Sequence, residues 1–250
     1  DLAEMLWSGV IGDVKEVHIW TDRPGGRWPH GGPATPPPGE PVPEKMDWDL
    51  WLGAAPVREY NKLYAPFKWR GWIDFGCGAL GDMACHIMDP AFFALKLGEA
   101  ASFAVEPVQQ ENANDQTWAT NAVVKYSFPE RAGMPPVVIY WYENGLKPQR
   151  PADIPEGQKM GDDKNGSLFI GSKGYLTAGE YGGDARLLPD ERMKDYTMPP
   201  QTLPRISGAN HYRSFVDACK GGDPAASNFD YAGPFTEMVL FGNIAMRMNK

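Results

Sequence analysis

Three strand-like segments, 102–108, 117–128 and 137–142, follow one another with connections too short for a helical crossover. A parallel neighbour needs a dozen or more residues to return, so strands joined this closely pair antiparallel. Pro135-Pro136 punctuates the last of these connections. Further along, Ser167 to Gly171 and Gly174 to Ala178 read as a hairpin across Ser172-Lys173, and Arg186 to Leu188 adds a short strand. Upstream, VKEVHIW at 14–20 alternates as a strand. From Ala79 to Leu97, residues Leu80, Ala84, Ile87, Ala91 and Leu95 make one apolar stripe at helical spacing. Two helices close the chain, over 209–220 and 234–248. Strand, helix, a run of strands, then helices is an α+β order and not an alternating βαβ one. The expectation is an open, predominantly antiparallel β-sheet with helices on one face.

The chain opens with DLAEMLWSGVIG. Leu2, Met5, Leu6 and Val10 share a helical face, and Gly9 suits a helix C-terminus. Residues 1–12 therefore read as the tail end of a helix that continues from a missing N-terminal part, and residues 13–250 as a single α+β domain. Two long irregular loops interrupt that domain, at 23–46 (with Pro36, Pro37 and Pro38 in a row) and at 145–165. Nine tryptophans and eleven phenylalanines argue that such loops are ordered, since disordered segments lack aromatic residues. The stretch 47–75 is dense in aromatics and wraps the domain with little regular structure. A net charge of −8, a pI near 5.1 and the lack of any basic run count against nucleic acid. No apolar run approaches the ~20 residues of a membrane helix. Cys77, Cys85 and Cys219 are an odd set that makes no disulfide framework, which favours a reducing compartment.

Chemistry concentrates in DFGCGALGDMACHIMD, residues 74–89. Gly76, Gly78 and Gly81 spell G-x-G-x-x-G, the spacing of a dinucleotide-binding turn. That fingerprint needs a buried strand before it, and WRGWIDF carries Arg70 and Asp74 where such a strand would be apolar. The glycines read instead as a close, side-chain-free approach at a helix N-terminus. Asp82 and His86 lie one helical turn apart, on a face roughly opposite the apolar stripe. A carboxylate beside an imidazole orients it and raises its pKa, giving a group that takes a proton from a hydroxyl. Spacing alone favours a plainer reading, a surface or packing histidine with a local ion pair. Cys77, Cys85, Asp82 and His86 are suitable ligand types without zinc-site spacing, so no metal is expected.

The segment WRGWIDFGCGALGDMACHIMDPAFFAL resembles the corresponding stretch of the glucose–fructose oxidoreductase/inositol dehydrogenase (Gfo/Idh/MocA) family. EMLWSGVIGDVKEVHIW is similar to that family's passage from its N-terminal into its C-terminal domain. DWDLWLGAAPVREYN and DYAGPFTEMVLFGNIAMR resemble its bacterial sugar-processing members. The resemblance implies a two-domain enzyme whose N-terminal Rossmann domain binds NAD or NADP and carries a Glu-Lys-Pro motif. Here only Glu44-Lys45-Met46 comes near it, and no Rossmann unit is visible, so this chain resembles the C-terminal domain alone, with no cofactor expected on it. Carried over, His86 is the general base on the carbinol hydroxyl of a sugar or polyol, and Asp82 orients it. Arg70, Trp72 and Asp74 precede the turn and are expected to line the substrate pocket; His211, at a helix start, is a further candidate. The resemblance also implies homo-oligomers through the sheet face, and a partner in the missing Rossmann domain. Alternatives are an NAD-dependent glycosidase of the same family and a noncatalytic carbohydrate-binding or oligomerisation domain. The compartment stays open between cytoplasmic and exported.

Overall fold

A computed structural model of the protein describes residues 1–206 and 210–248. Seven strands form one sheet: β1 (Val14–Trp20), β2 (Ala104–Glu111), β3 (Asn121–Phe128), β4 (Val137–Tyr142), β5 (Gly166–Gly171), β6 (Gly174–Ala178) and β7 (Arg186–Leu188). Their order across the sheet is β2-β3-β4-β1-β5-β6-β7. Every neighbouring pair is antiparallel except one, so the α+β, predominantly antiparallel expectation holds. The exception is β1, which inserts in the middle and runs parallel to β4, with Val17 opposite Ile139. The return from β1 to β4 carries the irregular excursion, three α-helices and β2–β3. No local spacing announces a pairing between segments so far apart in sequence.

Register divides the sheet into two faces, because successive side chains alternate. Val17, Ile19, Val124, Tyr126, Ile139, Trp141, Phe169 and Leu176 share one face and are buried. Their core also takes in residues from α1 (Leu2–Trp7), α3 (Gly78–Ile87), α4 (Asp89–Ala94) and α6 (Phe229–Met248). Each fully buried large side chain there contributes roughly 1.5–3 kcal/mol by removal from water. The opposite face has a smaller cluster, Trp20, Leu168 and Leu188, covered by Ile154 from the 145–165 segment. The helical layer thus lies on one side and a loop covers part of the other.

Just after the excursion, α2 (Trp48–Leu52) is a short helix whose Asp47 side chain accepts the Leu50 N–H at 3.0 Å. The sequence expectation of one helix over 79–97 needs correction. The helix ends at Ile87, and α4 restarts at Asp89 with Pro90 in its first turn. Proline has no N–H to donate, and its ring collides with the carbonyl four residues back, so a continuous helix cannot pass through it. At the other end, α6 begins at Phe229, earlier than the expected Pro234, which lies inside it. The expected helix over 209–220 is α5 (His211–Cys219), while Ala209 lies outside the described residues. No helix among the described residues is long and apolar enough to cross a membrane.

Gly242 is the point where α6 meets the layer beneath it. A Cβ there would collide with the Tyr126 hydroxyl and would stand 2.6 Å from Leu80 Cδ2. Tyr126 is fully buried and its ring cannot retreat. Overpacking of this kind costs about 1–3 kcal/mol. Gly242→Ala should lower the free energy of urea unfolding by that amount. An unchanged midpoint would mean that α6 does not seat on Tyr126.

Candidate active site

The glycine turn is built by close approach of the chain to itself. Residues Lys68–Gly71 form a 3₁₀ turn, and Trp72 makes a single antiparallel bridge to Thr117. The next residue but three, Gly76, gives its carbonyl to the Trp118 indole N–H at 2.7 Å. Cys77 gives its carbonyl to the Asn243 amide of α6 at 2.8 Å. Gly78 has φ +63, and a Cβ on it would stand 2.8 Å from the Trp118 ring. A Cβ on Gly76 would stand 2.8 Å from the Arg70 Cα, and one on Gly81 would collide with Cys77. Indole and backbone therefore occupy the space that a pyrophosphate would need. A 3₁₀ turn and one bridge stand where the dinucleotide fingerprint requires a strand. These residues do not fit a nucleotide cradle; the glycines fix where α3 begins.

His86 lies in the last turn of α3 and is half-buried. Its ring meets Tyr181 edge-on, with centroids 5.2 Å apart and planes at 72°. Asp82, one turn earlier, makes no hydrogen bond or ion pair with it. Instead Arg70 Nε donates to Asp82 Oδ1 at 3.0 Å. Arg70 is itself held: its guanidinium lies 4.7 Å from the Phe67 ring and 4.6 Å from that of Trp69, and it donates to the Phe67 carbonyl. The expected Asp82–His86 dyad is therefore corrected by a competitor. A guanidinium is always charged and presents several donors, so it outbids an imidazole that is charged only when protonated. Spacing along α3 revealed that two side chains share a face, but not that a third group from the preceding turn reaches one of them.

The remaining sequence candidates separate. Trp72 is fully buried; its indole donates to the Leu63 carbonyl at 2.7 Å and its ring meets Tyr64 edge-on at 4.6 Å. It has no open face for a sugar ring, which corrects the pocket-lining expectation: a large aromatic beside a sheet edge does more by filling the core. Asp74 is partly exposed and paired to Arg58, whose guanidinium also lies 5.0 Å from the Phe75 ring. His211 begins α5, is exposed, and lies 3.4 Å from the Ser227 hydroxyl. No contact brings it to His86. The three cysteines are free and exposed. Among the described residues no three potential metal ligands come together.

Beside His86 the structure places groups that sequence reasoning missed. Tyr181 sits in a tight turn at φ +59, ψ 19, a left-handed conformation uncommon for a residue with a side chain. Its neighbour Gly182 lines a cleft of about 360 Å³ together with Tyr181, Asp89, Pro90, Phe93 and Tyr231. Asp89 accepts the Tyr231 hydroxyl at 2.6 Å. Burial raises the Asp89 carboxyl above the usual range, and the tyrosine's hydrogen bond partly offsets this. The Tyr-Gly-Gly run at 181–183 is the one sequence signal of this turn.

Glu143 lies just past the end of β4 and is buried. It accepts the Trp141 indole N–H at 3.1 Å. Burial pushes its carboxyl up to about 7, against smaller opposing effects of the Trp141 indole and the Leu80 backbone N–H. A folded-state pKa raised above the unfolded value of 4.5 leaves stability intact below pH 4.5 and removes it as pH rises through 7. The span corresponds to about 3 kcal/mol. Glu143→Gln keeps an acceptor and loses the charge. Measured by urea unfolding, its advantage over the wild type should grow by roughly that amount between pH 4.5 and 8. A pH-independent difference would show that Glu143 ionises freely in the folded protein.

Residues 23–133 match the sequence profile of the Gfo/Idh/MocA group, described as oxidoreductase family, C-terminal alpha/beta domain. No curated protein matches the chain. Solved structures with a similar trace include the WlbA dehydrogenase from Bordetella pertussis, in complex with NADH and UDP-GlcNAcA, at 12% identity and TM-score 0.49, covering 100% of this chain and 59% of that one. An NAD binding oxidoreductase from Klebsiella pneumoniae is 14% identical with TM-score 0.48, covering 100% and 61%. An oxidoreductase from Thermotoga maritima is 14% identical with TM-score 0.45, covering 98% and 55%. The chain thus spans less than two-thirds of the length of each of these proteins.

Proposed function

We propose that the chain, whose residues 23–133 match the Gfo/Idh/MocA oxidoreductase C-terminal domain, is the substrate-binding and catalytic part of an NAD(P)-dependent enzyme acting on a sugar or polyol. His86 is the general base in this reading. The observation that carries it is the setting of that imidazole: half-buried, fixed by a helix whose start is clamped, and touching Tyr181 at the rim of a cleft. A base working on a carbinol hydroxyl has to be reachable, near neutral in affinity for protons and held still. NAD or NADP, held by a Rossmann domain outside these 250 residues, supplies hydride exchange at the carbinol carbon. The residues here bind and orient the substrate, and His86 accepts the hydroxyl proton on a ring nitrogen.

The roles of the other candidates follow from their partners. Asp82 and Arg70 neutralise one another beside the base, and together they offer a hydroxyl both an acceptor and a donor. Asp74 with Arg58 forms a second such pair. Tyr181 borders the imidazole and supports Asp89 and Tyr231 as the polar lining of the cleft. On the other side of the sheet, His18 stacks on Tyr140 at 5.2 Å and meets the Tyr142 hydroxyl at 2.8 Å. This aromatic part of the face, His18, Tyr140 and Tyr142 beside the Ile154 cluster, is the surface we assign to association between copies.

Turnover of the full-length enzyme tests the reading. His86→Ala should lower kcat by about 10²–10⁴-fold on a sugar or polyol substrate while leaving circular dichroism and oligomeric state unchanged. Activity within a few-fold of the wild type would favour the noncatalytic carbohydrate-binding reading. Release of an aglycone from aryl glycosides, without net NADH formation, would favour the glycosidase.

A further inference from the structure

Sequence points to Trp72 as the aromatic for a sugar ring, but the fold buries it. Another aromatic does stand open beside His86. Tyr181 is 70% exposed. Its ring meets the imidazole edge-on, with centroids 5.2 Å apart and planes at 72°. An edge-on contact takes up at most one face of the tyrosine and leaves the other open. The same residue lines the cleft that it shares with Asp89, Pro90 and Tyr231.

The backbone at this position disfavours a tyrosine. Its φ of +59 is a conformation that glycine adopts freely and an aromatic residue adopts at a cost. The surrounding structure imposes it. The Gly179 N–H donates to the Gly183 carbonyl at 2.8 Å and closes the turn. The Glu180 N–H donates to Asp162 Oδ2 at 3.1 Å, and the buried Asn165 amide donates to Glu180 Oε2 at 2.6 Å. Asn165 Oδ1 accepts the hydroxyl of the buried Thr21 at 2.8 Å. On the other side, Gly182 lies so close to α4 that a Cβ would stand 3.0 Å from Pro90 Cγ. Backbone strain persists where its neighbours over-determine it, and it clusters at sites that hold ligands. Core packing does not explain the residue, because its side chain lies outside the core.

We propose that Tyr181 is a stacking platform for the apolar face of a pyranose, so that the substrate is a ring-form sugar and not an open-chain polyol. In pyranoses of gluco, galacto or xylo type, axial C–H bonds form an apolar face and the hydroxyls radiate around the rim. An aromatic ring covers that face and removes it from water. An open-chain polyol carries similar hydroxyls without a flat C–H face. With the sugar on the platform, its rim hydroxyls meet the polar groups of the cleft, Asp89 and Tyr231. The imidazole, its centre 5.2 Å from that of the platform, is within a sugar ring's width. This substrate class rests on the reading of the cleft as a carbohydrate site, and not on His86 acting as the base.

Calorimetry on the full-length protein with NADH present reads the platform without turnover. The probes are the methyl β-pyranosides of glucose, galactose and xylose, with glucitol as the open-chain control. At least one pyranoside should bind, and more tightly than glucitol. Tyr181→Gly suits the φ of this turn, so Tm should not fall, while the Kd of that pyranoside should rise about tenfold or more. Tyr181→Phe keeps the aromatic face and should hold Kd within a few-fold of the wild type. The proposal is overturned if Kd is unchanged in Tyr181→Gly, if no pyranoside binds, or if glucitol binds as tightly as each of them. A loss in Tyr181→Phe as large as in Tyr181→Gly also overturns it, since the hydroxyl and not the face would then be the binding group. So does a lower Tm in Tyr181→Gly, which would make the ring a brace for its turn. Full turnover in His86→Ala would end the base reading and leave the loss of pyranoside binding in Tyr181→Gly as it stands. An unchanged Kd in Tyr181→Gly, with turnover lost in His86→Ala, would do the reverse.

Discussion

One close contact organises the functional side of this molecule: the glycine turn against the Trp118 indole. Trp118 precedes β3, and the turn precedes α3, so their contact ties the irregular excursion to the sheet. It consists of the indole N–H on the Gly76 carbonyl, the Trp72–Thr117 bridge beside it, and ring against backbone at Gly78. A Cβ at 78 would stand 2.8 Å from the Trp118 ring and one at 76 would stand 2.8 Å from the Arg70 Cα, so a side chain at either position would force the turn apart. The start of α3 is fixed by this contact, and the side chains of α3 follow from its start.

Competition for charge then decides which residues are free to act. Arg70 occupies Asp82 and Arg58 occupies Asp74, both at partly exposed positions where such pairs add little stability, typically below about 1 kcal/mol. Their effect is on availability. His86 is left without a carboxylate and beside an aromatic ring, next to a cleft whose acid, Asp89, is engaged by Tyr231.

Much of the fold was legible in the sequence because it is local. Short connections imposed antiparallel pairing on β2, β3 and β4, the hairpin at 172–173 showed in its turn residues, and the stripe from Leu80 to Ile87 located α3 within one residue at its start. The insertion of β1 beside β4 was not legible, since it depends on how two meanders share one sheet. The break at Pro90 was misread although proline announced it, because the apolar stripe continues through α4. In the site, spacing correctly put Asp82 and His86 on one face. It gave no means of seeing Arg70 reach across, Trp72 turn inward, or Tyr181 arrive from a turn almost a hundred residues later. Nothing in the sequence marked Glu143; only burial reveals it.

The central claim is that the clamped start of α3 presents His86 to a substrate hydroxyl at the cleft bordered by Tyr181. A crystal structure of the full-length protein with a bound polyol or sugar tests it most directly. The account predicts a carbinol hydroxyl within about 3 Å of a ring nitrogen of His86, with Tyr181 in contact with the ligand. A ligand seated elsewhere, with His86 covered by packed side chains, would contradict it.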